Sequence, residues 1–328
     1  MSKVCNHDLP KVIPPPSQAG DFQNTPLSTA DELADERFFH LTMAAVSSLF
    51  LVVSVRGCSL LEITLLPGPV MVRAGLIAGL FALAFFYRWR RAQRMVNVLV
   101  IVAWSVLFSA LYSVPQYMAV RSSAALCDQW LARMDRSLGI EVPNIVAFIA
   151  GYPGLGRFLA LSYDALLPMI ALAIILPAFC GAMQRAKEYC IACLASAAIG
   201  IPLFAFLPAL GPWTHYGYPA SPEQASYLQV LQELRSPGSC TLDLGHVEGI
   251  ITFPSFHTAL AIMAAFALWP LRYVRWPAAV LAVLISLSTL TTGWHYVADV
   301  LAGVVLAASS CAIAKGYTCA ECRWRQKS

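Results

Sequence analysis

Long apolar runs without alternation constrain this chain more than any other feature. A bilayer span needs about 20 mainly apolar residues, and the backbone inside it must satisfy its own polar groups. Runs of this kind recur at about 39–56, 69–87, 95–115, 157–180, 189–208, 256–271, 277–292 and 295–314. Composition agrees, with 58% of the 328 residues hydrophobic and 12% charged, against about 25% charged in soluble domains. A transmembrane barrel would instead alternate apolar and polar residues. The expectation is an all-α polytopic transmembrane helical bundle of about 8 spans, with residues 37–116 forming its N-terminal helices.

Charges between the runs orient them. Arg88, Arg90, Arg91 and Arg94 follow the second run, Arg185 and Lys187 the fourth, Arg272 and Arg275 the sixth. Lys315, Arg323, Arg325 and Lys327 follow the last. With Lys3, Lys11 and Arg37 they make 15 of the 22 Lys and Arg residues, leaving 7 for the other side. The positive-inside rule makes the richer side cytoplasmic. Both termini then lie inside a cell's plasma or inner membrane. Residues 1–36 are polar and carry Pro10, Pro14, Pro15, Pro16 and Pro26, with no apolar core of a signal peptide. They read as a disordered cytoplasmic tail, and 316–328 as a C-terminal cytoplasmic tail. Cys319 and Cys322 lack the second ligand pair of a zinc site, so no metal is expected. The basic residues serve topology rather than a nucleic-acid surface.

Two stretches lie on the outer side without spanning. Within 124–138, apolar residues at 127, 130, 131, 134 and 138 have helical spacing with a polar back, and Gly139 is a good stop. This predicts a helix lying in the membrane interface. Residues 209–253 form the longest outer loop, carrying Gly211, Pro212, Trp213, His215, Arg235, Asp243, His246 and Glu248. The loop runs into Pro254-Ser255-Phe256-His257 and is expected to roof a site.

Chemistry concentrates where the loop meets the last runs. His257 and His295 begin apolar segments, and the chain between them is long enough to cross a bilayer and return. Both imidazoles should therefore reach one face. His295 and Asp299 are four apart and share a helix side. An imidazole held by a carboxylate, facing a second imidazole, supplies a nucleophile with its orienting group and a general acid. Ionisable residues at membrane depth are costly unless they are used. A proton-coupled transporter or lipid flippase using the His-Asp pair is the alternative, with a catalytically silent scaffold behind it. The gathering of polar residues at the outer ends disfavours the first, and the intact His-His-Asp set argues against the second.

Pro254-Ser255-x-His257 followed by His295-x-x-x-Asp299 resembles the type 2 phosphatidic acid phosphatase superfamily, whose motifs are P-S-G-H and S-R-x-x-x-x-x-H-x-x-x-D. Here Ser288 stands at the serine, Thr289 replaces the arginine, and Phe256 replaces the glycine. No K-x-x-x-x-x-x-R-P motif lies upstream. These departures, together with Gly211-Pro212-Trp213, resemble the inositol phosphorylceramide synthase-like branch. The resemblance implies a six-helix phosphatase-type core within a catalytic region 117–315. It further implies that His295 attacks phosphorus to form a phosphohistidine, Asp299 orients His295, and His257 acts as general acid and base. The substrate would be a membrane lipid phosphate, with water or an alcohol or polyol acceptor, and without a cofactor. With the usual lysine and arginines missing, Arg235, the Ser255 hydroxyl and the helix starts after Pro254 and Gly293 are the expected phosphate contacts. Gly211, Pro212 and Asp164 complete the expected substrate-binding set.

Overall fold

The computed structural model describes residues 29–121, 124–246 and 249–325. Three long helices come first: α1 (Thr29–Leu60), α2 (Pro67–Trp89) and α3 (Gln93–Val120). Four shorter ones follow: α4 (Asp128–Ser137), α5 (Val142–Ala150), α6 (Pro153–Asp164) and α7 (Leu166–Phe179). After α8 (Met183–Phe206) come the small α9 (Pro212–His215) and α10 (Pro222–Arg235). The chain ends in α11 (Phe256–Leu268), α12 (Arg275–Thr291) and α13 (Val297–Arg325). A short parallel pair joins β1 (Ile63–Leu65) to β2 (Cys240–Leu242), tying the segment after α10 to the end of α1.

This is a multi-pass all-α membrane protein. Among the described residues, five helices are long and apolar enough to cross a bilayer: the Arg37–Leu60 part of α1, then α2, α3, α8 and the Val297–Trp324 part of α13. A sixth is added if α5 and α6, bent by 117°, count as one. The remaining expected spans are apolar but short, namely α7, α11 and α12. The expected run 157–180 is broken at Ala165. Its first half, α6, packs on α12, while α7 packs on α3, α8 and α11. Two tail boundaries also shift. Helix α1 begins at Thr29, inside the stretch expected to be disordered, and α13 continues through the expected C-terminal tail to Arg325. Residues 1–28 lie outside the described residues.

Helix α11 is the centre of the packing, flanked by α7, α8, α12 and α13. Its side chains explain how: Ala259, Ala261, Ala264 and Ala267 are buried and small, so neighbours approach closely. At its first residue the large Phe256 ring finds room only because α8 has a glycine opposite. A Cβ on Gly200 would stand 2.3 Å from that ring. Tyr112 of α3 stacks on Phe256 at 5.8 Å.

Helix α4 is present as expected, with its acidic side against the protein. Trp130, Met134 and Leu138 are exposed, while Asp128 and Asp135 are buried with Leu131 and Ala132. The polar back faces the protein because unpaired backbone donors wait there. Asp128 accepts from Leu210 N at 3.0 Å and from Gly211 N at 2.8 Å, and takes the Tyr296 hydroxyl at 3.2 Å. Asp135 accepts from Val297 N at 2.9 Å and Ala298 N at 2.8 Å. These last two are free donors of the first turn of α13, where a carboxylate is also favoured by the helix dipole.

Two stability outcomes follow from these contacts. Asp135→Asn keeps one acceptor oxygen and turns an amide N–H toward a backbone N–H. The loss should be about 1.5–3 kcal/mol, the range for hydrogen bonds to charged groups, read as a lower melting temperature in detergent. Gly200→Ala should cost about 1–3 kcal/mol by overpacking, and a second change, Phe256→Ala, should recover much of it. Equal or additive losses in the double variant would remove the proposed contact.

Candidate functional site

The site is assembled from the turn before α13 and the first residues of α11. Gly293, at φ +76°, reverses the chain after α12. The turn is then held from several sides. Trp213 N donates to Gly293 O at 3.1 Å, Gln224 Nε2 to Thr292 O at 3.1 Å, and His295 N to Thr289 O at 3.2 Å. Gly211 explains why the Gly-Pro-Trp segment is needed: at φ +106° it passes so close that a Cβ would lie 2.4 Å from Trp294 O. On the other side, Ser255 N donates to Asp299 O at 3.0 Å, which ties the start of α11 to α13.

This brings the two imidazoles together. The His257 and His295 rings are 5.9 Å apart, centroid to centroid, at 60°. His295 Nδ1 lies 3.4 Å from Asp299 Oδ2. That is within ion-pair range, but the angle misses a hydrogen bond, and Nδ1 has no other partner. Asp299 Oδ2 instead accepts the Tyr296 N–H at 2.8 Å. A small ring rotation would close the pair. His295 sits in the turn, two residues ahead of the spanning helix. Burial pushes its imidazole down from 6.5 to about 4, against a bond with the Thr252 backbone that raises it. It is therefore neutral at ordinary pH.

Both rings line a cavity of ≈ 640 Å³. Its walls come from Tyr163 and Asp164 of α6, Glu223 and Gln224 of α10, Ile251 and Thr252 before α11, and Trp294. Tyr163 stacks on His257 at 4.4 Å and fixes its ring plane. A second cavity of ≈ 230 Å³ is apolar and lies between α3, α7, α8 and α11. Two elements pass from one cavity to the other. Tyr163 and Asp164 line the polar one, while Leu167 and Ile170, just past the break at Ala165, line the apolar one. Likewise His257 faces the polar cavity, and Phe256 and Leu260 the apolar one.

The other expected contacts separate. Asp164 lines the cavity. Ser255 is buried and caps α11, accepting from Thr258 N at 3.4 Å. Gly211 and Pro212 support the turn rather than line the cavity. Arg235, at the end of α10, donates from Nη2 to Ala124 O at 3.0 Å and is not among the lining residues. Among the described residues, no lysine or arginine lines the cavity. The expected phosphate cradle at the start of α13 is already filled: Asp135 holds Val297 N and Ala298 N. Glu248 lies outside the described residues. Tyr163, Glu223, Gln224 and Thr252 were not anticipated. Gln224 could have been found from Ser221-Pro222-x-Gln224, a capping box that the structure contains.

Comparison with known proteins adds one finding. The sequence model of the PAP2 superfamily matches residues 129–313, from α4 to the middle of α13. No curated protein and no solved structure matches the chain significantly. The match covers more than half of the chain and takes in both histidines, Asp299 and every wall of the polar cavity, and by it the chain belongs to the PAP2 superfamily.

Proposed function

We propose that this protein is a lipid phosphotransferase or phosphatase working through a covalent phosphohistidine. The observation that carries the reading is the convergence of His257 and His295, 5.9 Å apart on one cavity, with Asp299 behind His295. The neutral His295 ring attacks phosphorus in line with the ester oxygen. The P–N bond forms as the P–O bond to the leaving alcohol breaks, and the imidazolium form of His257, favoured once the anionic phosphoryl group is bound beside it, gives its proton to that oxygen. Asp299 meets the positive charge that develops on His295 and holds its tautomer. In the second half, water or an acceptor alcohol gives its proton to His257 and attacks phosphorus. The P–N bond breaks and His295 leaves neutral. The surroundings suit an amphiphile, since a polar and an apolar cavity are both lined by α11 and by residues on either side of the α6–α7 break.

Finer features of the reading come from the sequence. Phe256 and Thr289, in place of the glycine and arginine of the motifs, favour the inositol phosphorylceramide synthase-like branch, and with it transfer to an alcohol over hydrolysis. The distribution of basic residues puts the reaction on the extracytoplasmic face. A proton-carrying transporter draws no support from the family.

His295→Ala should reduce turnover by at least about 10³-fold in a protein that still inserts and melts normally. The assay follows a lipid labelled in its phospho-headgroup, with and without an alcohol acceptor. A new labelled lipid means transfer, and a released label means hydrolysis. Substantial activity in the folded variant would remove the nucleophile. The acid limb of kcat/KM should lie near pH 4, because the reacting form of His295 is neutral and burial lowers its pKa to about 4. A limb at about 6.5, the pKa of an unperturbed histidine, would contradict the buried, neutral nucleophile.

A further inference from the structure

The three helices ahead of the family match carry a cavity of their own. It measures ≈ 410 Å³ and lies between α1, α2 and α3, within the range of roughly 300–1,000 Å³ at which small ligands are held. Its walls are apolar, with Val55 from α1, Ile77 from α2, and Leu107 and Val114 from α3. Leu51 and Val55 are exposed on the spanning part of α1, so the cavity opens sideways onto the apolar surface of the bundle. All of its lining residues except Leu244 precede residue 129, and none is shared with the cavity of the histidine pair.

One charge interrupts this apolar lining. Arg73 lies in the second turn of α2, about 9 Å along the helix from Pro67. A cation inside a spanning helix is costly and marks a function by default. A guanidinium has five N–H donors. Among the described residues, those of Arg73 reach two neutral acceptors, Ser113 Oγ at 3.3 Å and the Leu244 carbonyl, and no carboxylate pairs with it. Asp243, beside Leu244 in sequence, turns Oδ1 to Gly245 N at 2.7 Å instead. The Ser54 hydroxyl, also in the wall, is spent on Phe50 O at 2.7 Å. An unneutralised cation in the wall of an apolar cavity is complementary to an amphiphile with an anionic head. A net-neutral lipid would fill the hydrocarbon space and leave the charge without a full partner. A water-soluble anion would meet the charge and leave the walls bare.

We infer that α1, α2 and α3 bind an anionic phospholipid of the bilayer, with one acyl chain in this cavity and its phosphate on Arg73. The inference stands apart from the phosphohistidine reading, because the cavity shares no wall with the reactive one. The lipid bound here is a resident of the N-terminal helices and not the substrate.

The test uses the purified full-length protein in neutral detergent, with phosphatidylglycerol and phosphatidylcholine of matched chains, and counts bound lipid by native mass spectrometry. The wild type should hold phosphatidylglycerol about tenfold more tightly, roughly one charge-assisted contact. Arg73→Gln should abolish that preference, and Arg73→Lys should keep part of it. Ala74 is exposed and lines the cavity, so Ala74→Trp fills the space, keeps the cation, and should weaken both lipids. Lipid held at the histidine pair is untouched by these substitutions, so the difference from wild type reports this cavity alone. The inference is overturned if the wild type binds both lipids equally, or if a folded Arg73→Gln protein retains the preference. It is also overturned if glycerol phosphate without acyl chains competes as well as the intact lipid. Undiminished binding to Ala74→Trp overturns it even where the Arg73 variants do not fold.

Discussion

Two buried carboxylates on a helix that does not span the membrane hold this site together. Asp128 and Asp135 are seven residues apart, two turns of α4, and they face the same way. Burying a charge costs several kcal/mol unless it is paired, and here the partners are backbone N–H groups rather than cations. Asp128 gathers the chain at Leu210 and Gly211, and Asp135 gathers the start of α13. Between these fixed points lie Trp294, His295 and Tyr296. The helix dipole and the unpaired donors of the first turn make the exchange favourable. The same arrangement explains the want of positive charge in the cavity: the one helix start closest to His295 is already satisfied by an acid of the protein itself.

How much of this was legible in the sequence follows from physical scale. The meeting of His257 and His295 was readable because it depends on span length alone, and the run between them had room to go down and back. The orientation of α4 was not. Its apolar stripe and its acidic stripe have the same period, and in a membrane protein the apolar stripe can face lipid while the acidic one faces in. Only the positions of the donors at 210–211 and 297–298, far along the chain, decide between them. Arg235 was misplaced for a similar reason, since a lone cation near a site looks available until a carbonyl such as that of Ala124 claims it. The break at Ala165 had a signal in Asp164 before it and Pro168 after it, which the long apolar run around them masked. Lys187, counted as a topology signal, is buried and pairs across 3.9 Å with Glu321 of the extended α13.

Phe256 shows how a departure from a motif is absorbed. Where the family pattern has glycine, this chain carries a large ring, and the volume is recovered from Gly200 on α8 and from the flat face of Tyr112. The ring then becomes part of the apolar cavity wall, while its neighbour His257 remains on the polar side. One step along the backbone thus changes the surroundings from the apolar cavity to the polar one. That is the boundary an amphiphile must straddle if its phosphorus is to reach His295.

The bonds from Asp135 to Val297 and Ala298 join residues 162 and 163 positions apart. During synthesis α4 is made long before α13, so its inward acids must wait for donors that arrive last. A ribosome that stops early leaves a bundle with most of its spans and no arranged histidine pair. Completion of the polypeptide and assembly of the histidine pair are therefore the same event.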